Sequence, residues 1–159
     1  MAFLQVASGL DEHSAVDALP LPYCHLDLET KLALLTAMVD AACDTEVAEL
    51  DLKKSPVGQG RVICVSVYSG PDIDFGSGPG RALWIDTTVP GVLDELKSWL
   101  ERADSRKVWH NYGFDRHVIW NHGVDVRGLG GDTMHLARLW DAARKTGCAL
   151  TSPLASRLS

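Results

Sequence analysis

Leu28, Leu32, Leu35 and Met38 recur at intervals of three and four residues, which predicts a short helix ahead of the first strand. That spacing then disappears. Residues 38–47 and 61–68 are rich in Val, Ile, Ala and Cys, and the second run, RVICVSVY, has the β-branched content of a strand buried on at least one face. Residues 82–87, ALWIDT, predict a third strand. Turn-rich connections over 55–60 and 69–80 join the three consecutively, as in an antiparallel meander. After Pro90 the helical period returns, with Val92, Leu93, Leu96, Trp99 and Leu100 on one face and the proline near the first turn. Residues 107–110 predict a short strand, 114–122 a helix ending before Gly123, and 133–145 a helix ending at Gly147.

Three antiparallel strands followed by alternating helices and strands make an α/β fold with a mixed sheet, in the order of the ribonuclease H-like fold. The pattern divides the chain into a poorly ordered lead-in over 1–30, with Pro20 and Pro22, a folded unit over 31–147 and a tail over 148–159. At 159 residues and 46 % apolar content the chain has the material for one domain core. No stretch approaches the roughly 18 consecutive apolar residues of a membrane span.

Charge adds a constraint. The net charge of −6 is the wrong sign for holding nucleic acid by bulk attraction, although carboxylates that bind metal ions also count as acids. Residues 1–50 carry nine acids against Lys31 alone, whereas 102–159 carry nine basic residues against five acids. The second imbalance describes either a track for a phosphate backbone, through Arg116, Arg127, Arg138, Arg144 and Lys145, or a solvated surface. Residues 1–30 hold five acids and no Arg or Lys, unlike a transit peptide. Cys24, Cys43, Cys64 and Cys148 have no C-x-x-C spacing, and Cys43 and Cys64 sit in apolar runs where cysteine packs as a small hydrophobe.

Two places could carry chemistry. In a strand, residues two apart share a face, so Asp44 and Glu46 would project side by side. Paired negative charges repel, and either one takes up a proton or an oxygen-preferring divalent metal resolves the conflict. The second place is the run from His110 to Asp115, where a strand ends and a helix begins. Asp115 either serves the helix dipole or is delivered beside Asp44 and Glu46 to complete three carboxylates for metal-assisted phosphodiester cleavage.

Four runs carry a resemblance: ACDTEVA at 42–48, VICVSVYSGP at 62–71, VWHNYGFDRHVI at 108–119 and GDTMHLARLWD at 131–141. In order and spacing, over roughly 41–145, they resemble the 3′–5′ exonuclease domain of plant and algal organellar DNA polymerases of family A. Such domains are DEDD exonucleases with a ribonuclease H-like fold and four acids holding two metal ions. The resemblance implies that Asp44, Glu46 and Asp115 are catalytic and bind Mg²⁺ or Mn²⁺. It also implies that Thr45, Asn111 and Phe114 lie near the 3′-terminal nucleotide, and that Asp132 supports the site. The implied partner is a single-stranded 3′ end, DNA before RNA, together with a polymerase domain or a complementing chain. The implied compartment is plastid or mitochondrion.

The family's third motif, Y-x-x-x-D, has no counterpart, because the last tyrosine is Tyr112 and the last acid is Asp141. An incomplete C-terminus with a weakly held second metal is the expectation, and a catalytically silent nucleic-acid-binding module or polymerase fragment is the alternative. Other signals point to structure. Gly76, Gly78 and Gly80 precede a strand where a phosphate loop would open a helix. His110, His117, His122 and His135 lack a zinc spacing, and Trp99, Trp109, Trp120 and Trp140 read as core.

Overall fold

The computed structural model describes residues 27–38 and 40–142; the expected lead-in up to residue 26, the tail, Arg144, Lys145, Cys24 and Cys148 lie outside them. Nine elements follow one another: α1 (Leu28–Ala37), β1 (Asp40–Ala48), β2 (Arg61–Tyr68), β3 (Leu83–Asp86), α2 (Val92–Leu100), β4 (Arg106–Trp109), α3 (Tyr112–Trp120), β5 (Leu129–Asp132) and α4 (Thr133–Trp140). They form one five-stranded sheet in the order β3-β2-β1-β4-β5. The first three strands are the predicted antiparallel meander, while β4 runs parallel to β1 and β5 parallel to β4. No helix among the described residues is long and apolar enough to cross a membrane.

The alternation of β1 explains why it sits at the centre. Ala41, Cys43 and Thr45 are buried, whereas Asp40, Ala42, Asp44 and Glu46 are exposed. The apolar side joins a core with Val65 and Val67 of β2, Leu96, Trp99 and Leu100 of α2, and Val118 and Ile119 of α3. One face of the strand is therefore packed, and the other is open around its two carboxylates. Cys43 and Cys64 are buried thiols, as their surroundings predict, and burial pushes both pKa values up.

In β2 the pairing passes from Glu46↔Cys64 to Val47↔Val62, which leaves Ile63 as an extra residue. Beyond this bulge Cys64 lies on the Glu46 side of the sheet and Val65 on the Thr45 side, so the consecutive buried pair faces opposite ways. Gly60, at φ 85°, enters β2 where a Cβ would meet Val47 Cγ1 at 2.9 Å, so a side chain is excluded there. The glycines of the 69–80 connection serve a loop: Asp74 Oδ1 accepts from the N–H groups of Gly76 and Gly78 at 2.7 and 2.9 Å.

Three expectations are corrected. The strand β5 went unpredicted, because Leu129-Gly-Gly-Asp132 has neither alternation nor β-branched residues. Its helix α4 ends at Trp140, where Asp141 turns extended (φ −143°), not at the predicted residue 145; with no buried side chain, packing does not sustain it further. Trp99 and Trp109 are core as expected, but Trp120 and Trp140 are 55 % and 84 % exposed at the last positions of their helices.

The most constrained polar group is Lys107, which is fully buried. Its Nζ donates to the carbonyls of Arg102 (3.0 Å), Ser105 (2.9 Å) and Arg127 (3.2 Å) and lies 5.0 Å from the centre of the Trp99 ring. One ammonium thus ties the turn before β4 to the entry of β5, where Gly128 (φ 72°) leaves no room for a Cβ against the Ser105 carbonyl. Lys107→Met preserves volume but strips three carbonyls of their donor. It is expected to destabilise the fold by about 3 kcal/mol, read as a lower urea midpoint with an unchanged slope; an unchanged midpoint would contradict this role.

Candidate active site

The site is built where β1, the end of β4 and the end of β5 meet. On the open face of β1, Asp44 and Glu46 stand one pleat apart. Burial raises the pKa of Asp44, offset in part by a hydrogen bond from the Thr45 backbone and by the nearby His110. Burial also raises that of Glu46, and the charge of Asp44 raises it further. The pair carries the electrostatic conflict expected of adjacent carboxylates.

Asp115 occupies the first turn of α3 and is 2 % exposed. Its Oδ1 accepts a hydrogen bond from the Thr45 hydroxyl at 2.7 Å. Asp115 therefore reaches β1 at the residue between the two other acids, but from the packed side of the strand. Burial pushes its carboxyl pKa up to about 7, the Thr45 hydrogen bond opposes this, and the charge of Asp44 adds to the rise. All three predicted acids thus converge on a three-residue stretch of the central strand.

Asp132 fixes this arrangement from the end of β5. Its Oδ1 accepts from the N–H groups of Asn111 (3.0 Å), Met134 (2.9 Å) and His135 (3.4 Å), and its Oδ2 from that of Tyr112 (2.8 Å). Burial works to raise its pKa, but these four donors together hold it below the ordinary carboxylate value. The same carboxylate caps α4 and the entry of α3, where Asn111 adopts the left-handed conformation at φ 69°. Phe114 packs against the core at its edge, and Asn111 is exposed at the head of the helix.

The histidines hold structure. His110 Nδ1 pairs with Thr133 Oγ1 at 2.9 Å, His117 Nδ1 meets the Gly113 carbonyl, His122 Nε2 accepts from Val62 N–H at 3.2 Å, and His135 lies 3.4 Å from Asp132. Arg116 and Arg127 both pair with Asp125, which takes two of the five predicted phosphate-track residues into local ion pairs.

The donor chemistry of Asp44 and Glu46, two neighbouring carboxylates held in a conflict that a cation relieves, fits a hard divalent ion. Among the described residues, however, no three His, Cys, Asp or Glu side chains are grouped as they stand to hold one. The inward turn of Asp115 onto Thr45 accounts for this. Sequence reasoning placed Asp115 by its position in the helix but had no signal for the side of the strand it meets. It also passed over Tyr68 and Trp84, whose strand register puts them on the acid-bearing side.

The chain is 48 % identical over 108 residues to DNA polymerase I A, chloroplastic/mitochondrial, of Arabidopsis thaliana, a match covering 65 % of this chain and 10 % of that protein. It is 52 % identical over 110 residues to DNA polymerase I B, mitochondrial, of Oryza sativa subsp. japonica, with the same shares covered. The chain thus spans about a tenth of the length of the curated relatives it matches. Among solved structures it resembles the POL domain of Pol1 from M. smegmatis in complex with DNA primer-template and dNTP, with a TM-score of 0.62 and 19 % identity over 82 % of this chain and 20 % of that one. It also resembles Escherichia coli RNase D, an exoribonuclease, with a TM-score of 0.57 and 19 % identity over 82 % of this chain and 31 % of that one. No family model matches.

The raised pKa of Asp115 sets a pH dependence in the metal-free protein. Its value of about 7 exceeds the unfolded value near 4, so the folded state holds the proton more tightly. The stabilisation this gives is complete below about pH 4 and is lost as pH rises through about 7. With chelator present, Asp115→Asn is expected to flatten the fall in melting temperature between about pH 5 and 7.5 relative to the parent; parallel profiles would contradict it.

Proposed function

From a chain that is a relative of the plant organellar DNA polymerases I and carries the ribonuclease H-like fold of DEDD exonuclease domains, we propose a metal-dependent 3′–5′ exonuclease domain. It removes nucleotides from the 3′ end of a single strand, with DNA the favoured substrate. It works in the plastid or mitochondrion, the compartments that its relatives' names carry. The observation that carries this reading is the Asp44 and Glu46 pair on the open face of the central strand, with Asp115 against the residue between them.

In this reading Asp44, Glu46 and Asp115 would hold Mg²⁺ or Mn²⁺. The ion, when bound, supplies an activated water and neutralises charge on the phosphate being cleaved. The chain's own residues do the rest. Thr45 holds Asp115 at β1, Asp132 sets where α3 begins, and Asn111 and Phe114, at the head of that helix, border the terminal nucleotide. The 159 residues contain no acid after Asp141 and no tyrosine after Tyr112. In this reading a fourth acid and a water-orienting tyrosine are supplied from outside these 159 residues, and these residues alone hold a second metal weakly and work slowly.

Among the described residues fewer than three metal-binding side chains are grouped together, which favours a second reading, a catalytically silent nucleic-acid-binding module. Calorimetric titration with Mn²⁺, run beside a 3′-exonuclease assay on a 5′-labelled single strand, separates the two. The expected result is Mn²⁺ binding and slow shortening from the 3′ end, both lost in Asp44→Ala and Asp115→Ala. A parent protein that neither binds Mn²⁺ nor shortens the strand is the silent module.

A further inference from the structure

The open face of the sheet carries two aromatic rings that the core does not use. In the strand register Asp44 lies opposite Ser66, and Ser66 lies opposite Trp84. Tyr68 lies opposite Ala42, one pleat along from that row. Cross-strand partners, and residues two apart, share a face, so Tyr68 and Trp84 stand on the same side as Asp44 and Glu46. Tyr68 is 39 % exposed and Trp84 46 % exposed.

Next to Tyr68, at the head of β1, is an open hollow of about 300 Å³ lined by Ala42, Tyr68, Ser69, Gly70 and Val108. Its volume suits one nucleoside-sized group. The rim is held by Arg106, which binds Asp40 through two hydrogen bonds of 2.6 and 2.7 Å.

We propose that Tyr68 and Trp84 form a nucleobase-binding subsite that takes unpaired bases of a single strand beside the acid pair. It rests on the exonuclease reading and adds how that site selects its substrate. Aromatic faces accept any base, but only one that has left its duplex, so the subsite favours single strands without reading sequence. Asp44 and Glu46 repel a phosphate backbone, and stacking supplies affinity that does not depend on charge.

Fluorescence anisotropy of the full chain in EDTA tests this, with a labelled eight-nucleotide oligothymidylate and an abasic strand of equal length as probes. The parent is expected to bind the thymidylate more tightly than the abasic strand. Tyr68→Ala and Trp84→Ala each weaken thymidylate binding about 5- to 100-fold, leaving abasic binding unchanged. Tyr68→Phe and Trp84→Phe keep most of the affinity. Equal binding of both strands, or alanine variants that match the parent, would overturn the subsite. If the parent still shortens strands in the Mn²⁺ assay, that result leaves the exonuclease reading standing. Base-dependent binding lost in Tyr68→Ala, in a protein without nuclease activity, keeps the subsite and removes the exonuclease reading.

Discussion

The position of Asp115 in this fold depends on the Asp132 carboxylate. Two helices begin within hydrogen-bond reach of it, and it takes backbone donors from both: Asn111 and Tyr112 at the head of α3, Met134 and His135 in α4. The first turn of a helix leaves its N–H groups without intrahelical partners, so one carboxylate here answers a need of both. The entry of α3 is costly, since Asn111 must adopt a left-handed backbone. Holding that turn sets the azimuth of the helix, and Asp115, one turn further on, comes down on Thr45 as a result. The end of β5 thus governs a contact on β1, two strands away.

The central strand then divides its work by parity. Its odd-numbered residues from Ala41 to Thr45 pack or bond inward, and the even-numbered ones from Ala42 to Glu46 face outward. Three carboxyls around one short stretch share a single electrostatic problem: burial raises all three, and the charge of Asp44 acts on both Glu46 and Asp115. Nearby basic groups are committed elsewhere. Arg106 pairs with Asp40, Arg102 with Asp104, Arg116 and Arg127 with Asp125, and Lys107 with three carbonyls. A cation from outside is the relief this arrangement leaves available.

What the sequence made legible follows the same division. The strands β1 and β2 and the helix α2 could be placed to within about two residues, because each buries one face and its periodicity records that burial. The strand β5 has no such record. Gly130 sits where a Cβ would approach the Arg106 Cβ at 3.1 Å, so close packing against β4 selects glycine and erases the strand signature. The end of α4, and the exposure of Trp120 and Trp140, were misjudged for a related reason: hydrophobicity reports what a residue can bury, and these positions have nothing over them. Of the site, the D-x-E pair and the helical position of Asp115 were readable. The side of β1 that Asp115 meets was not, since a carboxylate 17 residues downstream in the chain decides it.

The charge distribution needs the structure to be interpreted at all. The basic excess over residues 102–159 looks like a phosphate track when counted along the chain. In space, four of its arginines form local ion pairs and its one described lysine is buried, so most of the excess is taken up in holding loops and strand ends together. The face that presents Asp44 and Glu46 also carries Tyr68 and Trp84, and its arginines in strand register, Arg61 and Arg106, are paired with Glu49 and Asp40. Arginines already paired leave little for a polyanion to gain by release of counterions. In the proposed reading attraction comes instead from a cation held by the acids and from contact with the bases, which makes affinity for a strand depend on metal and on unpaired bases more than on salt.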